Sequence, residues 1–104
     1  MTIVRRDRLE AFWNKHSEAE RPLLAWIRAT ERANWNKPTD VKQSWTVDVA
    51  VRVDSGRRVA VFDIGGNKYR LVVEMQYRAG IAWVKFIGTH ACYDEIDVET
   101  VNDY

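Results

Sequence analysis

Five side chains in the second half of this chain are of types that can cleave RNA without a metal: Lys68, Arg70, Lys85, His90 and Tyr93. A guanidinium or ammonium neutralises the charge that builds on a phosphorane, while a histidine and a tyrosine can exchange protons with it or hold it in place. Arg70 lies in the middle of an apolar run, where a guanidinium is held more rigidly than on a loop and suits bidentate recognition of a phosphate. It could equally be a cross-strand partner for Asp63 or Glu74. Lys68 precedes it by two residues and shares its face. Lys85 stands between Val84 and Phe86, an unusual place for a charge. His90 and Tyr93, spaced i and i+3 behind Thr89, would share one face of a capped turn. The histidine titrates near neutrality and can protonate a leaving oxygen. The tyrosine can bind a phosphate, stack on a base or pack on the core.

The rest of the chain offers no competing chemistry. Two histidines and one cysteine, Cys92, are too few and too scattered for a zinc site. There is no Walker loop, dinucleotide fingerprint or nucleophile elbow. His16 falls at a helix end and reads as a C-terminal cation or packing residue. The Gly65-Gly66-Asn67 run reads as a hairpin turn rather than a phosphate cradle. No metal and no cofactor are expected.

The elements that position these groups are legible from periodicity. Thr2-Ile3-Val4 can form a short first strand. Asp7 is placed to cap a helix running to about His16, with Leu9, Phe12, Trp13 and His16 at helical spacing. Ser17 followed by Glu20 is a capping-box pattern for a second helix to about Ala33, and Pro22 moves its start toward Glu20. Leu23, Leu24, Trp26, Ile27 and Thr30 give this helix a broad inner stripe. Residues 39–42 can make one more turn. After residue 44 the period falls to two, which predicts strands over 45–53, 57–64, 68–77 and 81–87. The turns between them are short enough to force antiparallel neighbours, a meander. In the third strand Tyr69, Leu71, Val73, Met75 and Tyr77 should meet the helices. Lys68, Arg70, Val72, Glu74 and Gln76 should face solvent or a ligand. Lys85 should share a mixed face with Ile81, Trp83 and Ile87. The fold class is α+β, two helices on one face of an antiparallel sheet, in a single domain over residues 1–104.

Charge is unevenly distributed. The net charge is +1, but residues 1–88 carry all 16 Lys and Arg against 10 acids, and residues 89–104 carry five acids and no base. A basic body suits a phosphate-rich partner. The acidic 89–104 segment could shield a basic groove, dock on a basic partner or simply be solvated. No run reaches the roughly 18 apolar residues of a membrane span. The N-terminal residues lack the apolar region of a signal peptide, and with a lone cysteine the chain reads as cytoplasmic.

Taken together, these residues resemble the HigB-type toxins of bacterial toxin–antitoxin modules, within the RelE/ParE superfamily. The resemblance runs through Phe12-Trp13-x-Lys15-His16, Pro22-Leu23-x-Ala25-Trp26, Ala33-x-Trp35 and Pro38-x-Asp40-x-Lys42. Its specific blocks are Phe62 to Val72 and Phe86-Ile87-Gly88-Thr89-His90-x-x-Tyr93-Asp94. It implies an endoribonuclease that cuts mRNA, usually on the translating ribosome. Arg70, His90 and Tyr93 stand at matching catalytic positions, and Lys68, Lys85 and Asn67 at supporting RNA-binding ones. Glu74, Lys68 or a ribosomal RNA group could serve as general base. A cognate HigA-like helix-turn-helix antitoxin is also implied, through which alone operator DNA would be contacted, and no membrane is involved. Two other readings stay open: a ParE-like gyrase poison, and a non-catalytic RNA-binding module. This chain departs from the pattern in being nearly neutral overall and in having Ala91 and Cys92 where a polar or charged pair is expected.

Overall fold

The computed structural model describes residues 1–37, 40–41, 59–65, 68–89 and 91–92. Its elements run β1 (Thr2–Val4), α1 (Arg6–Lys15), a 3₁₀ turn (Ser17–Ala19), α2 (Glu20–Arg32), β2 (Val59–Ile64), β3 (Tyr69–Gln76) and β4 (Ile81–Thr89). The strand expected over 45–53 lies outside the described residues. Asp40 and Val41, the described part of the turn expected over 39–42, are helical.

The helices begin a little differently from the sequence reading. Asp7 sits inside the first turn of α1 rather than capping it. The N-cap is Arg5, in the left-handed region at φ 67°, and its guanidinium bonds the Asp7 carboxylate at 3.0 Å. The capping-box serine opens a 3₁₀ turn, and α2 begins at Glu20. Pro22 therefore falls in the first turn of α2, where a missing N–H leaves no helical bond unmade. Leu23, Trp26, Ile27 and Thr30 recur every three or four residues and are all buried.

The sheet order is β1-β4-β3-β2, with β2, β3 and β4 antiparallel neighbours. The purely antiparallel meander needs one correction: β1 pairs parallel with β4. Parallel neighbours need a long crossover, and here everything from α1 to β3 intervenes. The sheet is thus mixed. Leu9 and the buried face of α2 pack with Ala60, Phe62 and Ile64 of β2, Leu71, Val73 and Met75 of β3, and Ala82 and Val84 of β4. Both helices therefore cover one face, and Tyr69, Leu71, Val73, Met75 and Tyr77 point toward them as alternation predicted. Trp26 meets Phe62 edge-on at 5.6 Å in the middle of this core. Among the described residues no helix is long and apolar enough to cross a membrane.

The opposite face is less open than expected. Val59, Val61, Val72 and Phe86 form a second, smaller buried cluster there. Apolar residues directly across neighbouring strands gather together, and this takes Val72 out of the solvent-facing set.

The pairing of β3 with β4 slips at one place. Val73 pairs with Val84 and Val72 with Phe86, so Lys85 is an extra residue in β4, a β-bulge. Beyond it the alternation is inverted. Ala82 and Val84 face the helices before the bulge, and Ile87 packs on that core after it. Ile87 therefore leaves the face predicted for it with Ile81, Trp83 and Lys85, while Lys85 stays beside Trp83. β4 also runs two residues past its expected end, through Gly88 to Thr89.

Candidate functional site

The end of the sheet where β3 begins and β4 finishes collects most of the described candidates. In register, Tyr69 stands between Ile64 and Thr89, and Arg70 between Asp63 and Gly88. The chain thus brings positions 69–70 beside positions 88–89, although Gly88 lies 18 positions beyond Arg70 in sequence. α1 closes the helix side of this end. Phe12 and His16 stack at 4.4 Å, and both rings approach Tyr69, at 5.4 and 6.1 Å.

Arg70 is half-buried on the face away from the helices. Its guanidinium bonds the Asp63 carboxylate at 2.8 Å, with 12% and 15% of the two side chains exposed. The cross-strand pairing that sequence offered as the alternative to a phosphate contact is therefore made, and with Asp63 rather than Glu74. The same pairing fixes the guanidinium. The guanidinium also donates to the Tyr69 carbonyl at 3.5 Å. Gly88, directly across β4, brings no side chain to the other flank.

Lys68 lies at the exposed rim of this end and reaches Glu18 at 3.4 Å, with both side chains more than half exposed. Lys85 is not brought to the same place. Its backbone carbonyl accepts from the Arg8 guanidinium at 2.9 Å, and its ammonium lies 4.2 Å from the centre of the Trp83 ring, whose register partner is Glu74 rather than Arg70. Glu74 is also distant: four residues along β3 from Arg70, it stands roughly 13 Å away at about 3.3 Å per residue. It accepts instead from Gln76 at 3.1 Å. Glu74 is thus too far along the strand to act on a phosphate held by Arg70.

His90, Tyr93 and Asn67 lie outside the described residues. The turn predicted behind Thr89 is present in its described part: Ala91 and Cys92 are helical, and the Thr89 hydroxyl accepts from the Cys92 N–H at 3.3 Å. Beside this end, an apolar cleft of about 250 Å³ opens between α1 and β4, lined by Arg8, Ala11, Phe86 and Ile87.

What the sequence did not reveal about His16 is its meeting with Tyr69. Its position at a helix end suggested a C-terminal cation or a packing residue, and its contacts with Phe12 and Tyr69 are those of the second. The signal that could have found it is the i,i+4 spacing of Phe12 and His16 together with Tyr69 at a strand start, but only the fold brings the helix end and the strand start together.

A search of curated proteins finds no match to this sequence. A protein-family model does match, over residues 19–96, which takes in α2, β2, β3, β4 and the turn behind Thr89. That family is described as HigB toxin, the RelE-like toxic component of a toxin–antitoxin system. With three quarters of its length covered, and with two helices on one face of a mixed four-stranded sheet among the described residues, this chain belongs to the HigB toxin family.

Proposed function

We propose that this toxin is an endoribonuclease that cuts mRNA on translating ribosomes and is neutralised by a HigA-like helix-turn-helix antitoxin. Family membership gives a toxin with an antitoxin partner; the nuclease activity, the ribosome and the kind of antitoxin belong to this reading. The observation that supports it is the register of β2, β3 and β4, in which a guanidinium oriented by Asp63 faces a glycine one residue before Thr89. That arrangement holds a cation rigidly beside the point where the chain leads into His90.

In the reaction, the RNA 2′-oxygen attacks the adjacent phosphorus in line and loses its proton to a base. Arg70 neutralises the equatorial oxygens as charge develops. The bond to the 5′-oxygen breaks, and His90 protonates that oxygen as it leaves. Tyr93 orients the phosphate or stacks on a neighbouring base. Lys68 and Asn67 contact the strand at the rim. Lys85, turned toward Trp83, contributes charge at longer range. The base is Lys68 or a ribosomal RNA group. Products carry a 2′,3′-cyclic phosphate, opened in some cases to a 3′-phosphate, and a 5′-hydroxyl. The site of action is the cytoplasm, where translating ribosomes are.

Mapping of 5′-hydroxyl ends in cellular mRNA shortly after tight induction, wild type beside His90→Ala, tests this reading. New ends confined to translated frames and absent in the variant support it. Growth arrest with intact transcripts overturns it, and a DNA-damage response in that case would point to gyrase.

A further inference from the structure

The paired rings of Phe12 and His16 lie outside the stretch matched by the family, and the reaction proposed above makes no use of them. Their geometry is that of a stacking platform. The imidazole lies on the Phe12 ring with a centroid separation of 4.4 Å and an interplanar angle of 22°. Phe12 is in turn braced edge-on by the buried Tyr69 ring at 5.4 Å and 82°. His16 itself is exposed. A flat ring backed by a second ring, itself held by a core residue, is pre-organised, so little is lost in ordering it when a partner lands on it.

The surroundings favour a nucleobase over other flat partners. Lys15 adjoins His16 on the chain, and Lys68 adjoins Tyr69 beneath the platform. Among the described residues Lys68 is engaged by Glu18, at 3.4 Å and with 63% and 74% of the two side chains exposed. An exposed pair of that kind is worth little and is easily exchanged for a phosphate. An aromatic face with ammonium groups beside it is the combination that holds single-stranded nucleic acid. Tyr69 is the register partner of Thr89, so the platform stands at the end of the sheet from which the proposed cleavage chemistry is reached.

We propose that His16, backed by Phe12, is a stacking site for a nucleobase flanking the cleaved phosphate of single-stranded RNA. This rests on the ribonuclease reading only for the word "cleaved"; the binding itself does not depend on it. His16 acts here through the face of its ring and transfers no proton.

The test uses the full chain and a short 2′-O-methyl oligoribonucleotide carrying 2-aminopurine, which cannot be cut and whose fluorescence is quenched by stacking. His16→Ala should bind roughly 5- to 100-fold more weakly, the range for losing one stacked base. His16→Phe should restore both binding and quenching. Thermal melts of both variants should match wild type, since His16 is exposed. Unchanged affinity in His16→Ala overturns the proposal, as does a wild type that binds no RNA. So does failure of His16→Phe to rescue, which would assign the role to the imidazole's protons. His90→Ala, run in parallel, separates the two readings. If mRNA is left uncut by wild type while the oligonucleotide binds in a His16-dependent way, the ribonuclease reading falls and the stacking site stands.

Discussion

Replacing Arg70 should damage both the fold and the chemistry, and the structure says how to tell the two apart. With 12% and 15% of its side chains exposed, the Arg70–Asp63 pair is closer to a buried ion pair than to a surface one. Exposed pairs contribute about 0.2–1 kcal/mol, whereas breaking a buried one costs about 3–5 kcal/mol because the remaining charge is stranded. The residual exposure of both groups, which lets water reach the survivor, places Arg70→Ala near 2 kcal/mol. At about 4 °C or more per kcal/mol for a domain near 100 residues, the melting temperature should fall by roughly 8 °C. Asp63→Asn should fall by a similar amount. The catalytic expectation is different in kind. Arg70→Ala should lose about 10²–10³-fold in cleavage rate, while Asp63→Asn, which keeps the guanidinium, should lose far less. The assay is single-turnover cleavage of mRNA on programmed ribosomes, well below both melting transitions, so that every variant is folded. The double variant completes a cycle that isolates the pair's coupling from the rate effect. If Arg70→Ala cuts at the wild-type rate while melting lower, Arg70 only holds β2 to β3, and its place in the mechanism is refuted.

Three further outcomes follow from particular contacts. A Cβ on Gly88 would stand 2.6 Å from Cζ of Phe86, whose ring is confined in the far-side cluster, so Gly88→Ala should destabilise by about 1–3 kcal/mol in chemical denaturation, as overpacking does. Lys85→Ala keeps the bulge and loses the contact with Trp83, about 0.5–1 kcal/mol, together with the packing of the buried stem. Deleting Lys85 removes the extra residue and should cost several times more, and equal melting temperatures for the two would refute the bulge's role. The Arg5 guanidinium, through its hydrogen bond, holds the Asp7 carboxyl below the usual carboxylate range. The folded-state pKa being the lower, this contribution is present at neutral pH and fades as pH falls through that folded value. Asp7→Asn should therefore melt slightly below wild type at pH 7, with the two curves converging in acid.

Legibility in the sequence followed how local each determinant is. The stripe from Leu23 to Thr30 and the alternation from Tyr69 to Tyr77 are set by residues within one element, and both helix-side faces came out as read, whereas Val72 on the other face of β3 is buried. Helix starts were less legible. Arg5, left-handed and making no side-chain cap bond, stands in the N-cap position expected for Asp7, and a side chain's capacity to cap does not say which residue leaves the helix first. The partner of β1 was not legible at all, because three residues carry no mark of the strand some 80 positions away that they join. The site divides the same way. Arg70's alternatives could be narrowed to Asp63 or Glu74 by face alone, but choosing between them needed the register of β2. Glu74 shares Arg70's face, which made it a candidate base, yet sharing a face along a strand says nothing about reach.

The single residue that most shapes the candidate site is Lys85, and its effect lies in its being counted rather than in its charge. Without a bulge, the pairing of Val73 with Val84 would continue so that Arg70 faced Ile87 and Tyr69 faced Gly88. The extra residue moves each partner along by one. Arg70 then faces Gly88, which offers no side chain to crowd the guanidinium, and Tyr69 faces Thr89, whose hydroxyl caps the turn leading on from His90. The shift also sends Phe86 to the far side to close the small cluster with Val59, Val61 and Val72, and returns Ile87 to the helix-side core. A regular strand could satisfy only one of these demands, because the alternation that buries Ala82 and Val84 against the helices would put Phe86 there as well. A lysine is tolerated at such a point because the bulged residue has no place in the ladder of side chains, and its long stem can turn along the sheet to Trp83. Pattern reading treats a charge between Val84 and Phe86 as an anomaly to be given a function. The register gives it another cause: it is the residue at which β4 changes the face it buries.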